Sequence, residues 1–531
     1  MLTNAPRILI SDKLSPAAVK IFEERGVAAD LRPGLSPAEL RSIIGDYDGL
    51  AVRSATKVTR ELLEAAPRLK VVGRAGIGVD NVDVKSATAR GVVVMNTPFG
   101  NSITTAEHAL AMMFALARQI PEANASTKAG RWEKNRFMGV ELFGKTLGVI
   151  GCGNIGAIVA DRALGLKMRV IAYDPFLSET RAREIGVEKV DLPDLLHRAD
   201  IITLHTPLTE GTRNILDRVA LAKTRKGVRI VNCARGGLID EAALADALKS
   251  GHVAGAALDV FETEPATDSP LFALENVVCT PHLGAATSEA QENVALQVAE
   301  QMSDFLLTGA VANAINMPSI SAEDAPRLRP YLELVRQLGA IGGQLTNATG
   351  RELKGIRIEY EGAAAHLNHR PLTAAAIAGV LGPIMAGVNM VNAPVQARER
   401  GIEIFETTAE RASGYQTGVR LVLVTDRDEK SVAGTLFGDR PRLTAIKDIP
   451  VEAELNGHML YVTNQDKPGF IGKFGATLAE AGINIATFHL GRSAPGKDAV
   501  CLVAVDGPVA EDVLARVRAI PQVMQASALT F

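Results

Sequence analysis

A chain of 531 residues is too long for one hydrophobic core, and a scale of ~150 residues per domain predicts three or four domains. With 47% apolar and 22% charged residues and a formal charge of −3, it lacks the basic surplus that nucleic acid or an acidic membrane surface selects. The four cysteines, Cys152, Cys233, Cys279 and Cys501, form no CxxC pair, so no metal site or disulfide framework is expected and a reduced, cytoplasmic setting is.

The N-terminal "MLTNAPRILISDK" reaches a strand-like run at once and has no signal-peptide layout. Short apolar runs follow ("RILI", "GLAV", "LKVVG", "VVVM"), separated by helical segments such as "SPAAVKIFEERG" and "VTRELLEAA". A second series reads "TLGVIG", "MRVIAYD", "DIITLHT", "VRIVNCA", "GAALDVF" and "NVVCT". Such alternation predicts an α/β protein with two doubly wound parallel sheets. The helical run from Ser288 is placed to carry the chain back to the first sheet.

Around "NMPSISAEDAPRLRP" a shift to Pro, Ser and acidic residues predicts a linker. Residues 318–453 mix strands ("GIRIEYEG", "VRLVLVTD") with helices, as in an α+β domain. There "AAAIAGVLGPIMAGV" is too short to span a membrane and reads as buried small-residue helices. "AHLNHR" (His366, His369, Arg370) reads as a basic surface loop. The tail gives strand, helix, two strands, helix and strand, the ferredoxin-like βαββαβ arrangement.

Gly151-x-Gly153-x-x-Gly156 lies between an apolar strand and an amphipathic helix, the setting in which this spacing binds a dinucleotide. The first glycine makes the turn, the second lets backbone approach a pyrophosphate, and the third packs helix on strand. Asp174 stands 18 positions beyond Gly156 (174 − 156), at the end of the next strand. An acid there hydrogen-bonds the adenosine ribose and repels a 2′-phosphate, which predicts NAD rather than NADP.

Ligands of open α/β sheets bind beyond the carboxyl ends of the strands, where Arg235, Glu262, Glu264 and His282 stand. Arg53, Ser54 and the stretch "RAGIGVDN" (Arg74 to Asn81) hold that place in the first series. A histidine suits proton abstraction from an alcohol, a carboxylate orients its imidazole, and an arginine fork grips a substrate carboxylate.

The set "GCGNIG", "NCARGGLIDEAAL", "ALDVFETEP" and "PHLGAATSEA" resembles the D-isomer-specific 2-hydroxyacid dehydrogenases over residues 1–317. "VTNQDKPGFIGKFGATLAEAGINIATFHLGR" resembles an ACT domain, and the whole layout resembles the long, ACT-bearing branch of that family. The resemblance implies a substrate-binding lid domain over 1–99 plus 288–316 and a Rossmann NAD domain over 100–287. It further implies an intervening domain, akin to an allosteric substrate-binding domain, over 318–453 and an ACT regulatory domain over 455–531. Arg235, Glu264 and His282 would be catalytic. Gly151, Gly153, Asn154, Ile155, Gly156, Asp174, Thr206, Ala234 and Asp259 would hold NAD. Arg53, Ser54, Gly76 and Asn101 would meet the substrate, with Arg131, Lys134 and Arg136 as candidate phosphate neighbours.

The implied reaction is NAD-dependent oxidation of 3-phospho-D-glycerate to 3-phosphohydroxypyruvate, the first step of L-serine biosynthesis. L-Serine is the implied effector, at Asn464, Asp466 and Asn484 between paired ACT domains, in a homotetramer. A hydroxypyruvate or glyoxylate reductase shares the two-domain core but generally ends near residue 320. A non-enzymatic NAD-sensing protein of this fold gives no use for the ACT-like tail.

Overall fold

The computed structural model describes residues 5–410 and 414–531, so residues 1–4 of the stretch read for a signal peptide lie outside the described residues. The first sheet has five parallel strands, in the order Ala28–Leu31, Arg7–Ile10, Gly49–Val52, Val71–Arg74 and Val93–Met95. The inner three are buried along nearly their whole length, as parallel strands covered on both faces must be. The helix Ser288–Thr308 returns to cover this sheet, with Val298 and Met302 against Gly73. A Cβ on Gly73 would overlap both side chains, so the strand needs glycine for the helix to seat.

The second sheet has seven parallel strands. Their order is Val277–Cys279, Val253–Leu258, Val228–Asn232, Ile201–Leu204, Thr146–Ile150, Arg169–Tyr173 and Glu188–Lys189. Strand order reverses between Thr146–Ile150 and Ile201–Leu204, and such a switch point opens a crevice at the strands' carboxyl ends. The helix Ser102–Arg118 packs against this sheet.

The third sheet has six strands. Leu353–Gly362 runs parallel to Glu403–Ala409, and the other neighbours are antiparallel. The helices Ala325–Asn347 and His369–Leu381 pack together on it, the latter carrying the small residues read as buried helix. The predicted linker is shorter than its composition suggested. Helix begins at Ala325, where the first turn tolerates Pro326, and it continues past the interior Pro330 because the apolar face Leu328, Leu334 and Leu338 is buried.

"AHLNHR" is also not a loop. His366 ends a 3-10 turn and His369 opens a helix, where its ring stacks on Tyr360 at 4.2 Å and Nε2 meets the Ala364 carbonyl at 3.0 Å. Asn389 and Asn392 donate to the Gly91 and Ala89 carbonyls, docking this domain on the first. The last sheet is antiparallel, in the order Ile485–Arg492, Asp498–Val505, His458–Gln465 and Val523–Thr530, with helices Phe470–Glu480 and Glu511–Arg518. That is the βαββαβ order expected. Among the described residues, no helix is long and apolar enough to cross a membrane.

Candidate active site

The strand Thr146–Ile150 ends in Gly151, whose φ of +89° suits glycine. A Cβ there would lie 2.7 Å from the His205 carbonyl oxygen. A Cβ on Gly156 would overlap the Gly151 carbonyl oxygen, so the helix Asn154–Gly165 sits on the strand end only because that side chain is absent. Gly153 caps this helix without a side chain, and nothing lies within 4 Å of a Cβ built on it. Free helix N–H groups beside open space are what a pyrophosphate requires. Asn154 is exposed and Ile155 half-buried on the helix's first turn, with Thr206 and Ala234 partly exposed at neighbouring strand ends.

Asp174 follows the adjacent strand and accepts from Cys152 N at 2.9 Å and Phe176 N at 2.8 Å. These bonds fix the carboxylate beside the glycine turn, the position from which an acid hydrogen-bonds a ribose in such folds. Asp174→Ser is expected to raise the Kd for NAD by about 10-fold, one charged hydrogen bond, and to leave that for NADP unchanged or lower. Fluorescence titration with both dinucleotides checks this; an equal loss for both would contradict it.

His205, behind the turn, is enclosed: Nε2 meets Thr203 Oγ1 at 2.9 Å and Nδ1 has no partner. Burial pushes its pKa down to about 4, against roughly 6.5 in an unfolded chain. The unfolded state binds the extra proton, so this stability is whole above ~6.5 and is lost as pH falls towards the folded value. At pH 5 the loss is about 2 kcal/mol. The thermal midpoint of His205→Gln is therefore expected to fall less than the parent's between pH 7 and pH 5; equal falls would refute the assignment.

At the far strand ends, His282 Nδ1 lies 2.7 Å from Glu264 Oε2, and Glu264 Oε1 accepts from Phe261 N at 3.1 Å. Burial pushes the Glu264 pKa up, but the His282 and Phe261 donors outweigh it and hold the carboxyl below its usual range. With its proton on Nδ1, the imidazole keeps Nε2 as a free acceptor. His282 has a left-handed φ of +55°, and its N–H donates to the Asp259 carbonyl at 2.9 Å.

The Asp259 carboxylate has no exposed surface and accepts from Thr280 Oγ1, Leu283 N and Gly284 N at 2.6–2.8 Å. Burial opposes its charge, yet His108, Thr280 and Leu283 together hold its pKa below the ordinary value. Asp259, predicted to lie along the cofactor, thus grips the backbone beside His282. Among the described residues, His108, Cys233 and Asp259 alone group metal-ligand atoms within 4.8 Å, and the Asp259 oxygens are already committed to these donors.

Across the cleft, Arg235 Nε pairs with Asp80 Oδ2 at 2.8 Å while Nη1 donates to the Ala234 carbonyl. Arg53 N donates to Asp12 Oδ2 at 2.6 Å, fixing that strand end, and Ser54 beside it is exposed. Arg74 is enclosed, its Nε has no partner, and burial plus the neighbouring Arg235 pull its pKa down to about 10. Gly76 gives Arg74 room: a Cβ there would overlap its guanidinium. Asn101 is buried at the start of Ser102–Arg118 with Oδ1 unpartnered. Sequence reasoning quoted the stretch holding Arg74 and Asp80 without assigning either. A cation at the end of "LKVVG" was the available signal for Arg74.

Other predicted residues are dispersed. Arg131 and Arg136 both pair with Glu133 in their own exposed segment, and Lys134 lies between them. Asp466 accepts from Arg492 Nη1 at 2.9 Å and Gly496 N at 3.0 Å. Asn464 is buried with Oδ1 unpartnered. Asn484 donates to Asp506, at the opposite end of the last sheet. A seven-residue offset at ~3.3 Å per residue separates the two ends by roughly 20 Å. Within one chain these three do not converge.

Three family models match: the NAD-binding domain of the D-isomer-specific 2-hydroxyacid dehydrogenases over 110–284, the D-3-phosphoglycerate dehydrogenase intervening domain over 327–447, and the ACT domain over 458–522. A D-3-phosphoglycerate dehydrogenase of Synechocystis sp. is 43% identical over 514 residues, 96% of this chain and 92% of that protein. One from Methanocaldococcus jannaschii is 43% identical over 519 residues, 97% and 98% of the two chains. Among solved structures, D-lactate dehydrogenase from Aquifex aeolicus, complexed with NAD and lactic acid, is 26% identical with a TM-score of 0.52, covering 59% of this chain and 100% of that one. A glyoxylate reductase from Paecilomyes thermophila is 29% identical with a TM-score of 0.56, covering 59% and 99%.

Proposed function

The chain belongs to the D-3-phosphoglycerate dehydrogenases, and from that premise we infer the work of each residue in its cleft. The enzyme oxidises 3-phospho-D-glycerate to 3-phosphohydroxypyruvate with NAD, opening L-serine biosynthesis. NAD, when bound, supplies the hydride acceptor. The observation that carries the residue assignment is the His282–Glu264 pair, held at 2.7 Å at the strand ends of the nucleotide-binding sheet.

Arg235 takes the substrate carboxylate through its guanidinium fork. Arg53 and Arg74 take the phosphate, with Ser54, the Gly76 backbone and the unpartnered Asn101 Oδ1 as polar neighbours. Arg74 suits that task because, among the described residues, no carboxylate pairs with its buried charge, and the substrate phosphate would supply the missing anion. Neutral His282 removes the C2 hydroxyl proton at Nε2. Glu264 fixes the ring and stabilises the imidazolium that forms. The phosphate nests, Gly151, Gly153 and Gly156, lie on one domain and Arg53 and Arg74 on the other, so closure brings the groups together and excludes water.

L-Serine is the effector we propose, bound by Asn464 and Asp466 of one ACT domain and Asn484 of a second copy. Their placement at opposite ends of the sheet supports a site shared between copies. We propose a homotetramer, for which the shared ACT site would supply one contact between copies and the exposed Trp132, Met138 and Phe143 are apolar side chains available to a second. Four free cysteines suit a cytoplasmic enzyme.

NADH production measured with 3-phosphoglycerate, D-glycerate and D-lactate, each with and without serine, tests these readings. Preference for D-glycerate would transfer the chain to the reductases. Insensitivity to serine would remove the effector proposal alone.

A further inference from the structure

We propose that Asp80 is a positioning residue for the reaction, holding Arg235 by Nε so that the opposite edge of its guanidinium faces the substrate carboxylate. This rests on the role given above to Arg235. The pair spans the cleft: Asp80 follows a strand of the first sheet, Arg235 a strand of the second, and Nε–Oδ2 is 2.8 Å. Guanidinium carries five N–H groups. Asp80 takes the one on Nε and the Ala234 carbonyl takes one on Nη1, leaving one on Nη1 and both on Nη2. One N–H on Nη1 and one on Nη2 make the two-pronged end that matches a carboxylate, and the second on Nη2 lies on the Nε side, towards Asp80.

The first domain is also shaped to receive this side chain. A Cβ on Gly78 would overlap Arg235 Nη2 and lie 2.7 Å from Asp80 Oδ2, so the guanidinium packs against Gly78 in space a side chain would fill. Gly78 is not among the residues with left-handed φ, so only space argues for glycine there. The Asp80 side chain is 63% exposed. An ion pair with one partner this exposed adds little to stability, which leaves aiming Arg235 as its use. Because its halves belong to different domains, the bond requires the two strand ends to stand as near each other as they do here, and so ties the approach of the domains to readiness of the fork.

The test uses the full chain and compares Asp80→Ala, Gly78→Ala, Arg235→Ala and the Asp80→Ala/Arg235→Ala double variant. Steady-state kinetics and calorimetric titration of 3-phosphoglycerate in the presence of NADH are read together. Asp80→Ala and Gly78→Ala are each expected to lower kcat/KM about 10-fold, chiefly through KM, with NAD affinity and thermal midpoint unchanged. In the Arg235→Ala background, Asp80→Ala should weaken binding no further. Tighter or unchanged binding in Asp80→Ala, or additive losses in the double variant, would overturn the proposal. Parent-like binding in Arg235→Ala alone would sink the carboxylate reading first, and this one with it.

Discussion

Replacing His282 is expected to lower kcat by about 10²–10⁴-fold, the usual contribution of a positioned general base, while NAD affinity stays within about 3-fold of the parent. The imidazole reaches the cleft from one loop and the dinucleotide cradle from another, so losing the ring leaves the cradle intact. The choice of replacement matters because His282 has a φ of +55°. Alanine is strained there by roughly 1–2 kcal/mol, whereas asparagine tolerates this conformation. His282→Asn and His282→Ala should therefore share the loss of turnover and differ in thermal midpoint, Asn standing higher. A folded His282→Asn that no longer binds NAD, or that turns over within 10-fold of the parent, would contradict the proton-transfer assignment.

Gly156→Ala and Gly153→Ala should both weaken NAD binding, by different routes. At Gly156 the added methyl overlaps the Gly151 carbonyl oxygen, so the helix must lift away from its strand and carry its N–H groups with it. Overpacking of this kind costs about 1–3 kcal/mol, and misplacing two or three phosphate hydrogen bonds raises Kd by about 100-fold. At Gly153 nothing in the protein meets the methyl, which instead enters the space open to the pyrophosphate. NAD titrations and thermal melts separate the two. Gly156→Ala should lose both affinity and midpoint, Gly153→Ala affinity alone. Equal melting losses would show that Gly153 is needed by the fold rather than by the ligand.

Most of the architecture could be read in advance because hydrophobic period and turn chemistry agree along the chain. The runs around Leu147, Ile202, Val231 and Ala257 are apolar at most positions with no alternation, the writing of strands covered on both faces. In the two parallel sheets, two edge strands escaped notice, Ala28–Leu31 and Glu188–Lys189. Their residues are largely exposed, so no burial pattern marks them. Pro326 and Pro330 disguised a helix as a linker, since the apolar stripe beneath them begins only at Leu328. Within the cleft, Gly151, Asp174, Arg235, Glu264 and His282 could be picked out because each follows a recognisable strand. Asp80, His108 and the buried state of Arg74 could not, as they depend on which residues the two sheets bring face to face.

The returning helix Ser288–Thr308 bears on how the chain is made. The last strand of the first sheet is complete at Met95, yet the helix that seals it begins at Ser288. Roughly 190 residues must leave the ribosome in between, about 10–40 s at 5–20 residues per second. Throughout that interval the face around Gly73 lacks Val298 and Met302 and stands open. The nucleotide-binding sheet can therefore finish before the domain that precedes it in the chain, and its folding draws residues 95 and 288 near enough for the seal to close. A chain halted near residue 285 would hold a complete phosphate cradle beside an uncovered apolar sheet, a ready target for chaperones.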